Sequence, residues 1–428
     1  MKTKAFGLWS AVFLAIGSMV GAGIFIVIGQ AGALAGNIVW VSFIFGALIA
    51  FLSGYSLAQL AIRYQSRGGI VEYLVQGFGE NIFSGSMGVM FYFSQLIAVG
   101  AVAKSFGTYA TTFIHTEHTT QMINIFAIGV VLLFTAINLI GASIVAKSEN
   151  IIVFIKLSVL VIFSITTLFY INPSLLSVSK MPPIDGMVFA IGITFFAYQG
   201  FSVITNTVED MQDPKTTMLK AMMIAIALVA LLYIITSIAV LGTLPLPTII
   251  HTKDYALAQA AQPVFGALGF KIIALTALLA TASAINATLY AVADIGYTMA
   301  KEGNLPKIYQ YNVYNSFEGL IISAALIIPM ILFFNLSEIT TVAAIIMLIV
   351  QGTTHIAHLF LLQQTNANKY LVVSAIVAMF SIAAITLYST YSTMPQIAYY
   401  LIGAFAFAFS VEFLLRFFNK RVIQKQQS

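Results

Sequence analysis

Long apolar runs separated by short polar segments dominate the chain from residue 8 almost to its end. A helix needs about 20 apolar residues to cross the hydrocarbon core of a bilayer. The pattern therefore predicts an all-α polytopic membrane protein with twelve transmembrane helices. The predicted spans lie near residues 8–34, 37–62, 82–113, 121–141, 150–171, 187–208, 217–243, 269–299, 318–335, 339–362, 370–390 and 395–418.

The composition is that of a chain that lies mostly in lipid. Hydrophobic residues make up 60% of the 428 residues and charged residues 8%, whereas soluble domains carry about 25% charged residues. So few charges leave no room for a large soluble domain. The chain has no cysteine, which excludes disulfides, thiolate metal sites and thiol nucleophiles. Its net charge of +5 comes from loop residues and does not indicate binding to nucleic acid.

The basic residues predict the orientation of the spans. With the N-terminus inside, 14 of the 19 Lys and Arg residues fall in cytoplasmic segments and three fall outside. Cytoplasmic loops carry the excess of Lys and Arg, so a multi-pass protein of the cell membrane with both termini in the cytoplasm is predicted. The two remaining basic residues, Lys104 and Lys156, lie within predicted spans.

The first span contains a cluster of glycines in the segment GSMVGAGIF at residues 17–25. Gly costs about 1 kcal/mol relative to Ala in a helix interior, and a broken backbone is tolerated within lipid only where it is buried in protein or lines a cavity. A break there would free N–H and C=O groups to hold an anion and a cation. The glycines could instead serve only close helix packing, and the segment alone leaves both interpretations open.

The sixth span is the second candidate for an interrupted helix. It contains Gly192 and Gly200, with the polar pair Tyr198 and Gln199 at the predicted middle of the membrane. The first and sixth spans would each open a unit of five helices, and paired interruptions at such positions point to a transporter's binding site. The two halves show no convincing residue-level repeat, so this prediction rests on topology.

Ionisable side chains within spans are candidates for function, because they usually face the bundle interior. Lys104 lies toward the outer third of span three, and its long stem is predicted to carry the ammonium to the membrane surface. Lys156 lies about two turns from the cytoplasmic end of span five. His355 and His358, at i and i+3 in span ten, are predicted to make interhelical hydrogen bonds rather than a metal site.

Three motifs together resemble the amino acid-polyamine-organocation transporter superfamily. They are GSMVGAGIF in span one, FFAYQGFSVITNTVEDMQDP at residues 195–214 and MAKEGNLP at residues 299–306. Lys156 and the segment AKSFG at residues 103–107 make the chain more similar still to the prokaryotic proton-coupled, sodium-independent transporters of the ApcT type.

The resemblance implies a LeuT-type fold with two inverted repeats of five helices. Helices 1–5 would occupy residues 8–171 and helices 6–10 residues 187–362, which together form a transport core within residues 1–362. Residues 363–428 would form the peripheral helices 11 and 12 and a cytoplasmic tail.

The resemblance also implies the substrate site. The amides of the GxGIF motif would face the substrate carboxylate, backbone carbonyls of spans one and six would take the ammonium, and the Phe196 ring would be a gate. Ala22 replaces the Ser of many relatives, which removes a hydroxyl and keeps the amide. The predicted substrate-binding residues are Met19, Gly21, Ala22, Gly23, Ile24, Phe196, Ala197 and Gln199.

Lys156 is predicted to replace the sodium ion that bridges spans one, five and eight in sodium-coupled relatives. Its ammonium would reach the carbonyl region at Gly17 and the hydroxyls near Thr281 and Ser283. A change in these surroundings would bind and release a proton, so the proton is the predicted coupling ion and no cofactor or metal is expected. The alternative is a permanently charged lysine that only holds these spans together.

The predicted function is secondary transport of neutral, mainly apolar L-amino acids by alternating access, with the bilayer and a small-molecule substrate as partners. An amino-acid or amine antiporter is the alternative, and a channel is a more remote one. An enzyme is not expected, because none of the five histidines is positioned with a serine and a carboxylate as a triad requires. The oligomeric state is left open.

Overall fold

The fold was analysed in a computed structural model of the chain. It describes residues 7–21, 23–66, 68–114, 120–140, 143–177, 184–301, 303–314 and 316–419. Nearly all of these residues are helical. The α-helices are α1 Leu8–Met19, α2 Gly23–Ala35, α3 Val39–Arg63, α4 Ile70–Phe78, α5 Ile82–Thr111, α6 Thr120–Ile140, α7 Ser143–Leu168, α8 Ile184–Tyr198, α9 Pro214–Thr243, α10 Leu246–His251, α11 Ala256–Lys301, α12 Glu318–Phe333, α13 Leu336–Phe360, α14 Leu362–Thr365, α15 Lys369–Thr393 and α16 Gln396–Asn419.

Short elements connect the helices. The 3-10 segments among the described residues lie at Gly36–Ile38, Pro173–Leu176, Phe201–Asp210 and Lys307–Gln310. The strands β1, Asn312–Val313, and β2, Ser316–Phe317, pair antiparallel in a two-residue hairpin before α12, with Asn312 opposite Phe317.

The described residues contain ten helical segments long and apolar enough to cross a membrane, with α1 and α12 as shorter apolar helices. Their outward faces carry large apolar side chains that water would not favour, such as Phe154 at 72% and Phe169 at 82% exposure. The chain is thus a polytopic helical membrane protein, as predicted from its hydropathy. The division into twelve spans and two inverted repeats stays a prediction.

Two short helices lie outside the predicted spans. The loop after the second span forms α4, whose side chains Tyr73 and Leu74 are fully buried, so this helix packs into the protein rather than lying as a solvated connector. The second short helix is the first part of α11. It is separated from the longer part by Gly266, whose φ of +67° interrupts the helical geometry.

The interrupted helices pack at the centre of the bundle. α2 packs on α8, and α1 packs on α9 and on the 3-10 segment Phe201–Asp210. α3 covers α8 and α9, whereas α5 and α11 pack on one another. α15 contacts α13 and α3, and α16 contacts α5. The two glycine-rich segments are therefore brought together by packing rather than by proximity in sequence.

Candidate functional site

The first span is interrupted where the glycine cluster predicts it. α1 ends at Met19 and α2 begins at Gly23. The N–H of Val20 closes the last turn on the Ile16 carbonyl at 2.8 Å, and the N–H of Gly21 lies 3.4 Å from the Ser18 carbonyl in a tighter, weaker contact. Ala22 lies outside the described residues.

The sixth span is interrupted directly after Tyr198. Gly200 has a φ of +117°, in a region that side-chain-bearing residues rarely adopt, and the chain continues as the 3-10 segment Phe201–Asp210. A Cβ atom at Gly200 would lie 2.7 Å from Ser18 Oγ and 3.0 Å from Met19 N. The break in span six therefore touches the end of α1 directly.

The glycines of span one also allow close contacts with neighbouring backbone. A Cβ atom at Gly23 would overlap the Ala197 carbonyl oxygen and lie 2.9 Å from Ala197 Cα. A Cβ atom at Gly21 would lie 2.8 Å from Ala284 Cβ in α11. Both interpretations of the cluster therefore hold, since the same glycines break the helix and let other helices approach it.

Tyr233 of α9 joins the two breaks. Its fully buried hydroxyl lies 2.8 Å from the Met19 carbonyl oxygen and 3.2 Å from that of Ala197. Its ring lies 5.2 Å from the ring of Tyr198 and 5.7 Å from that of Phe43, centroid to centroid. Two of the carbonyls predicted to face an ammonium thus already have a hydroxyl neighbour, which sequence reasoning did not identify.

A cavity of about 220 Å³ lies against both breaks. Six predicted site residues line it, and the described residues among its walls include no charged side chain. Buried Ile24, Ala197 and Thr281, together with Gly21, lie behind this lining. The predicted residues in the lining are Gly17, Met19, Gly23, Phe196, Gln199 and Ser283.

The cavity extends in one direction from the breaks. Its walls continue to Phe13 in the first half of α1, to Asn206 in the 3-10 segment and to Ile295 in the last part of α11. All three positions lie toward the end of the bundle where the chain enters α1. The cavity therefore lies on one side of the two helix breaks, the side where α1 begins.

The other side of the breaks is closed by packing on α2. A Cβ atom at Gly29 would overlap the Lys253 backbone, and Gln30 Nε2 lies 3.4 Å from Asp254 Oδ1. Burial raises the pKa of the Asp254 carboxyl above its usual range, against smaller lowering effects of Lys253 and Gln30. The segment between α10 and α11 thus covers α2, the second half of the interrupted span.

Lys156 of α7 reaches span one as predicted. The side chain is 1% exposed and its Nζ donates a hydrogen bond of 2.9 Å to the Gly17 carbonyl oxygen. Gly17 is required for this approach, because a Cβ atom there would lie 2.9 Å from Val153 Cγ2. The Thr281 hydroxyl lies 2.7 Å from the Ala277 carbonyl oxygen in its own helix. Span one and span five are therefore joined by a buried ammonium.

The prediction that Lys104 extends to the membrane surface is wrong. It is 3% exposed, and its Nζ donates a hydrogen bond of 2.6 Å to Asn124 Oδ1 of α6. The ammonium does not extend to the surface, because α6 offers a buried amide oxygen within reach. Lys104 is therefore a second buried lysine that ties two helices together.

The two histidines of α13 make the interhelical hydrogen bonds that their spacing predicts. His355 Nε2 lies 2.9 Å from Ser53 Oγ, and His358 Nδ1 lies 2.7 Å from Ser56 Oγ. Within the described ranges no group of three potential metal-ligating side chains occurs. His115 and His118 lie outside the described residues.

Gln351 contacts the predicted site residue Gln199, and the sequence analysis did not identify it. It is fully buried in α13 and donates from Nε2 to Gln199 Oε1 at 3.0 Å. Its Oε1 lies 3.2 Å from the Ser53 hydroxyl. The available signal was its position four residues before His355, which places both side chains on one helix face.

The chain is similar in sequence to known transport proteins. The family model for "Amino acid permease" matches residues 6–411. The inner membrane transport protein YbaT of Escherichia coli is 34% identical over 96% of each chain. The "Uncharacterized protein MJ0609" of Methanocaldococcus jannaschii is 32% identical over 98% of this chain and 97% of its own. The serine/threonine exchanger SteT of Bacillus subtilis is 25% identical over 71% of this chain and 69% of its own.

The chain therefore belongs to the amino acid permease family of the amino acid-polyamine-organocation superfamily. Members of this family are transporters and not enzymes. The family and the apolar helices together define a multi-pass protein of the cell membrane that transports small molecules of the amino-acid class.

Proposed function

We propose that this protein is a secondary active transporter of neutral L-amino acids that works by alternating access. The observation that carries the proposal is the meeting of two interrupted helices at one cavity, with Gly23 packed on Ala197 and Gly200 packed on Ser18. Breaks at the middle of a membrane present backbone groups that bind both ends of an amino acid. Such a site suits occlusion of a zwitterion better than conduction of an ion.

The substrate carboxylate binds at the start of α2. Amides at a helix N-terminus and the helix dipole both favour an anion. Residues 21–23 supply such amides, and that of Gly21 is held only by its long 3.4 Å contact with the Ser18 carbonyl. The ammonium binds the carbonyl region at the end of α1 and α8. A carbonyl oxygen has two lone pairs, so Met19 accepts from Tyr233 and still has room for a substrate N–H.

Neutral substrates fit the cavity walls. A buried charge without a partner is strongly disfavoured, and the walls within the described part of the chain offer no charged side chain to pair with a basic or acidic substrate. Phe196, Met347 and Phe91 supply apolar surface. The substrate range therefore includes apolar side chains, with Phe196 as the gate over the bound molecule.

Proton coupling is assigned to Lys156, with no requirement for sodium. A carbonyl partner favours the charged ammonium, whereas burial without a partner favours the neutral amine. A transition that separates Lys156 from Gly17 would release the proton, and the reverse transition would bind it. The proton gradient then drives transport through the difference between the two states.

Alternating access requires a second arrangement of the same helices. The cavity continues toward the end of the bundle where α1 begins, and the Lys253–Asp254 segment covers the other side. With both termini in the cytoplasm and twelve spans in two inverted repeats, this arrangement is an inward-facing state. Outward opening would move the Lys253–Asp254 segment away from α2.

Purified protein in proteoliposomes tests the proposal. Uptake of a neutral radiolabelled amino acid should follow an inward proton gradient and should be the same with sodium or with choline outside. Sodium-dependent uptake would contradict the coupling. Exchange is the second candidate because SteT, a relative, is named as an exchanger. Uptake that occurs only when the lumen is loaded with an amino acid would identify exchange instead.

A further inference from the structure

A buried chain of hydrogen bonds runs from the cavity into the bundle. Gln199 follows the break in span six and lines the cavity. Its Oε1 accepts from Gln351 Nε2 at 3.0 Å, Gln351 Oε1 lies 3.2 Å from Ser53 Oγ, and Ser53 Oγ lies 2.9 Å from His355 Nε2. Gln351, Ser53 and His355 are all completely buried. The chain therefore connects three helices that pack behind the cavity.

The direction of these hydrogen bonds is consistent along the chain. Gln351 Nε2 donates to Gln199 Oε1, and the Ser53 hydroxyl donates to Gln351 Oε1. A hydroxyl has one hydrogen to donate, so Ser53 Oγ accepts from His355 and the His355 tautomer is the one with its proton on Nε2. Each nitrogen in these three hydrogen bonds then donates and each amide oxygen accepts, as their chemistry requires. The chain ends on the Nε2 of Gln199, a donor, and Gln199 is the residue of the chain that lines the cavity.

This terminal donor lacks an acceptor. Gln199 Nε2 is buried and has no hydrogen-bond partner among the described residues. A buried donor without a partner is strongly unfavourable, and nearly all such groups in proteins are satisfied by protein, water or ligand. Two buried nitrogens of the network have no partner among the described residues, His355 Nδ1 at one end and Gln199 Nε2 at the end that borders the cavity.

We infer that Gln199 is a specificity-determining residue whose Nε2 donates to an oxygen on the side chain of the bound amino acid. The inference rests on the proposed function and narrows the range of its substrates. The favoured substrates are neutral amino acids with a hydroxyl, ether or carboxamide oxygen in the side chain. A site built to hydrogen-bond a substrate discriminates against the analogue that lacks the partner, because its own polar group is then left unpaired.

Competition binding with threonine and valine tests the inference. The two are nearly equal in shape and share the carboxylate and ammonium, so their affinity ratio isolates the side-chain oxygen. The wild-type protein should bind threonine more tightly than valine. Gln199→Leu should lower the threonine-to-valine affinity ratio about tenfold. The exposed Gln364 provides the same substitution away from the cavity, and Gln364→Leu should leave the ratio unchanged.

A second variant keeps the test independent of how well Gln199→Leu folds. Gln199→Glu retains an oxygen for Gln351 Nε2 and replaces the free donor by an acceptor. O-methyl-L-serine and L-norvaline differ only in an ether oxygen that accepts and cannot donate. Gln199→Glu should therefore lower the O-methylserine-to-norvaline affinity ratio by at least fivefold, with a melting temperature near that of wild type as the check on folding.

The outcomes separate the inference from the proposed function. A wild-type protein that binds no amino acid would overturn the proposed function and the inference with it. Binding of both amino acids with unchanged ratios in the Gln199 variants would overturn the inference alone. The inference would also be overturned if a Gln199 variant lost affinity equally for both amino acids of a pair, threonine and valine or O-methylserine and norvaline. Gln199 would then contact the carboxylate that both amino acids share.

Discussion

The ammonium of Lys156 donates to the Gly17 carbonyl oxygen across 2.9 Å, at the last turns of α1 before its break. A buried charge is thereby fixed to the helix end that also borders the cavity. Movement of span one therefore changes the surroundings of a titratable group. This relationship gives the first prediction.

Lys156→Ala should abolish uptake driven by an imposed pH gradient while substrate binding persists. The variant removes the group that we propose binds and releases the proton, and it leaves the backbone at both breaks intact. Uptake in proteoliposomes and scintillation proximity binding measure the two properties separately. The exposed Lys271 is the matched control, and Lys271→Ala should transport normally. A Lys156→Ala protein that still concentrates substrate would show that the lysine is only a fixed charge.

Gly23→Val should abolish substrate binding in a protein that still inserts and folds. A Cβ atom at position 23 overlaps the Ala197 backbone, so the two breaks must separate and the amides of residues 21–23 lose their position. Gly129→Val is the control, because a Cβ atom there meets nothing within 4 Å. Substrate affinity near that of wild type in Gly23→Val would mean that the cavity at the breaks is not the substrate site.

Phe196→Ala should weaken substrate binding by about 2 to 3 kcal/mol, the scale of a lost buried aromatic contact. Phe196 lines the cavity and is 6% exposed. Phe154, which is 72% exposed on the outer face of α7, provides the control Phe154→Ala, for which no change in binding is expected. Unchanged kinetics in Phe196→Ala would assign the gate to Phe195 or Phe201 instead.

Tyr233→Phe should destabilise the protein by about 1 to 3 kcal/mol, because two buried carbonyls lose a hydroxyl neighbour. The hydroxyl contacts Met19 and Ala197, one on each interrupted helix. Thermal unfolding in detergent measures the effect. Tyr388, which is 78% exposed, serves as the control, and Tyr388→Phe should unfold at the wild-type temperature. Equal unfolding temperatures for Tyr233→Phe and Tyr388→Phe would show that the Tyr233 hydroxyl does not stabilise the contact between the two breaks.

Asp254→Asn should raise the unfolding temperature at pH 7 and have little effect near pH 3. Burial raises the pKa of Asp254 in the folded state, so its favourable contribution is present below the unfolded pKa and is lost as pH rises through the folded pKa. Asparagine removes the charge and keeps an oxygen for Gln30. The exposed Asp213, whose pKa is lowered chiefly by a hydrogen bond from Thr216, should give no such gain as Asp213→Asn. A stabilisation independent of pH would contradict the assignment.

The sequence by itself predicted the class of the protein. Apolar runs of bilayer length and the low charged fraction define a polytopic helical chain, because hydropathy is a property of each segment alone. The glycines at residues 17–25 and Gly200 located both helix breaks, since backbone freedom is also local. Lys156 stood out because an ammonium within a span is costly wherever its partner lies.

Only the tertiary structure decided which groups meet. Tyr233 lies 214 residues from Met19 along the chain, and Ser53 lies 298 residues from Gln351. No local property of these segments specifies such pairs. Lys104 shows the limit most plainly, because its long stem could have extended to the surface. Packing of α6 placed Asn124 within reach, and a hydrogen bond in a low-dielectric interior held the ammonium there.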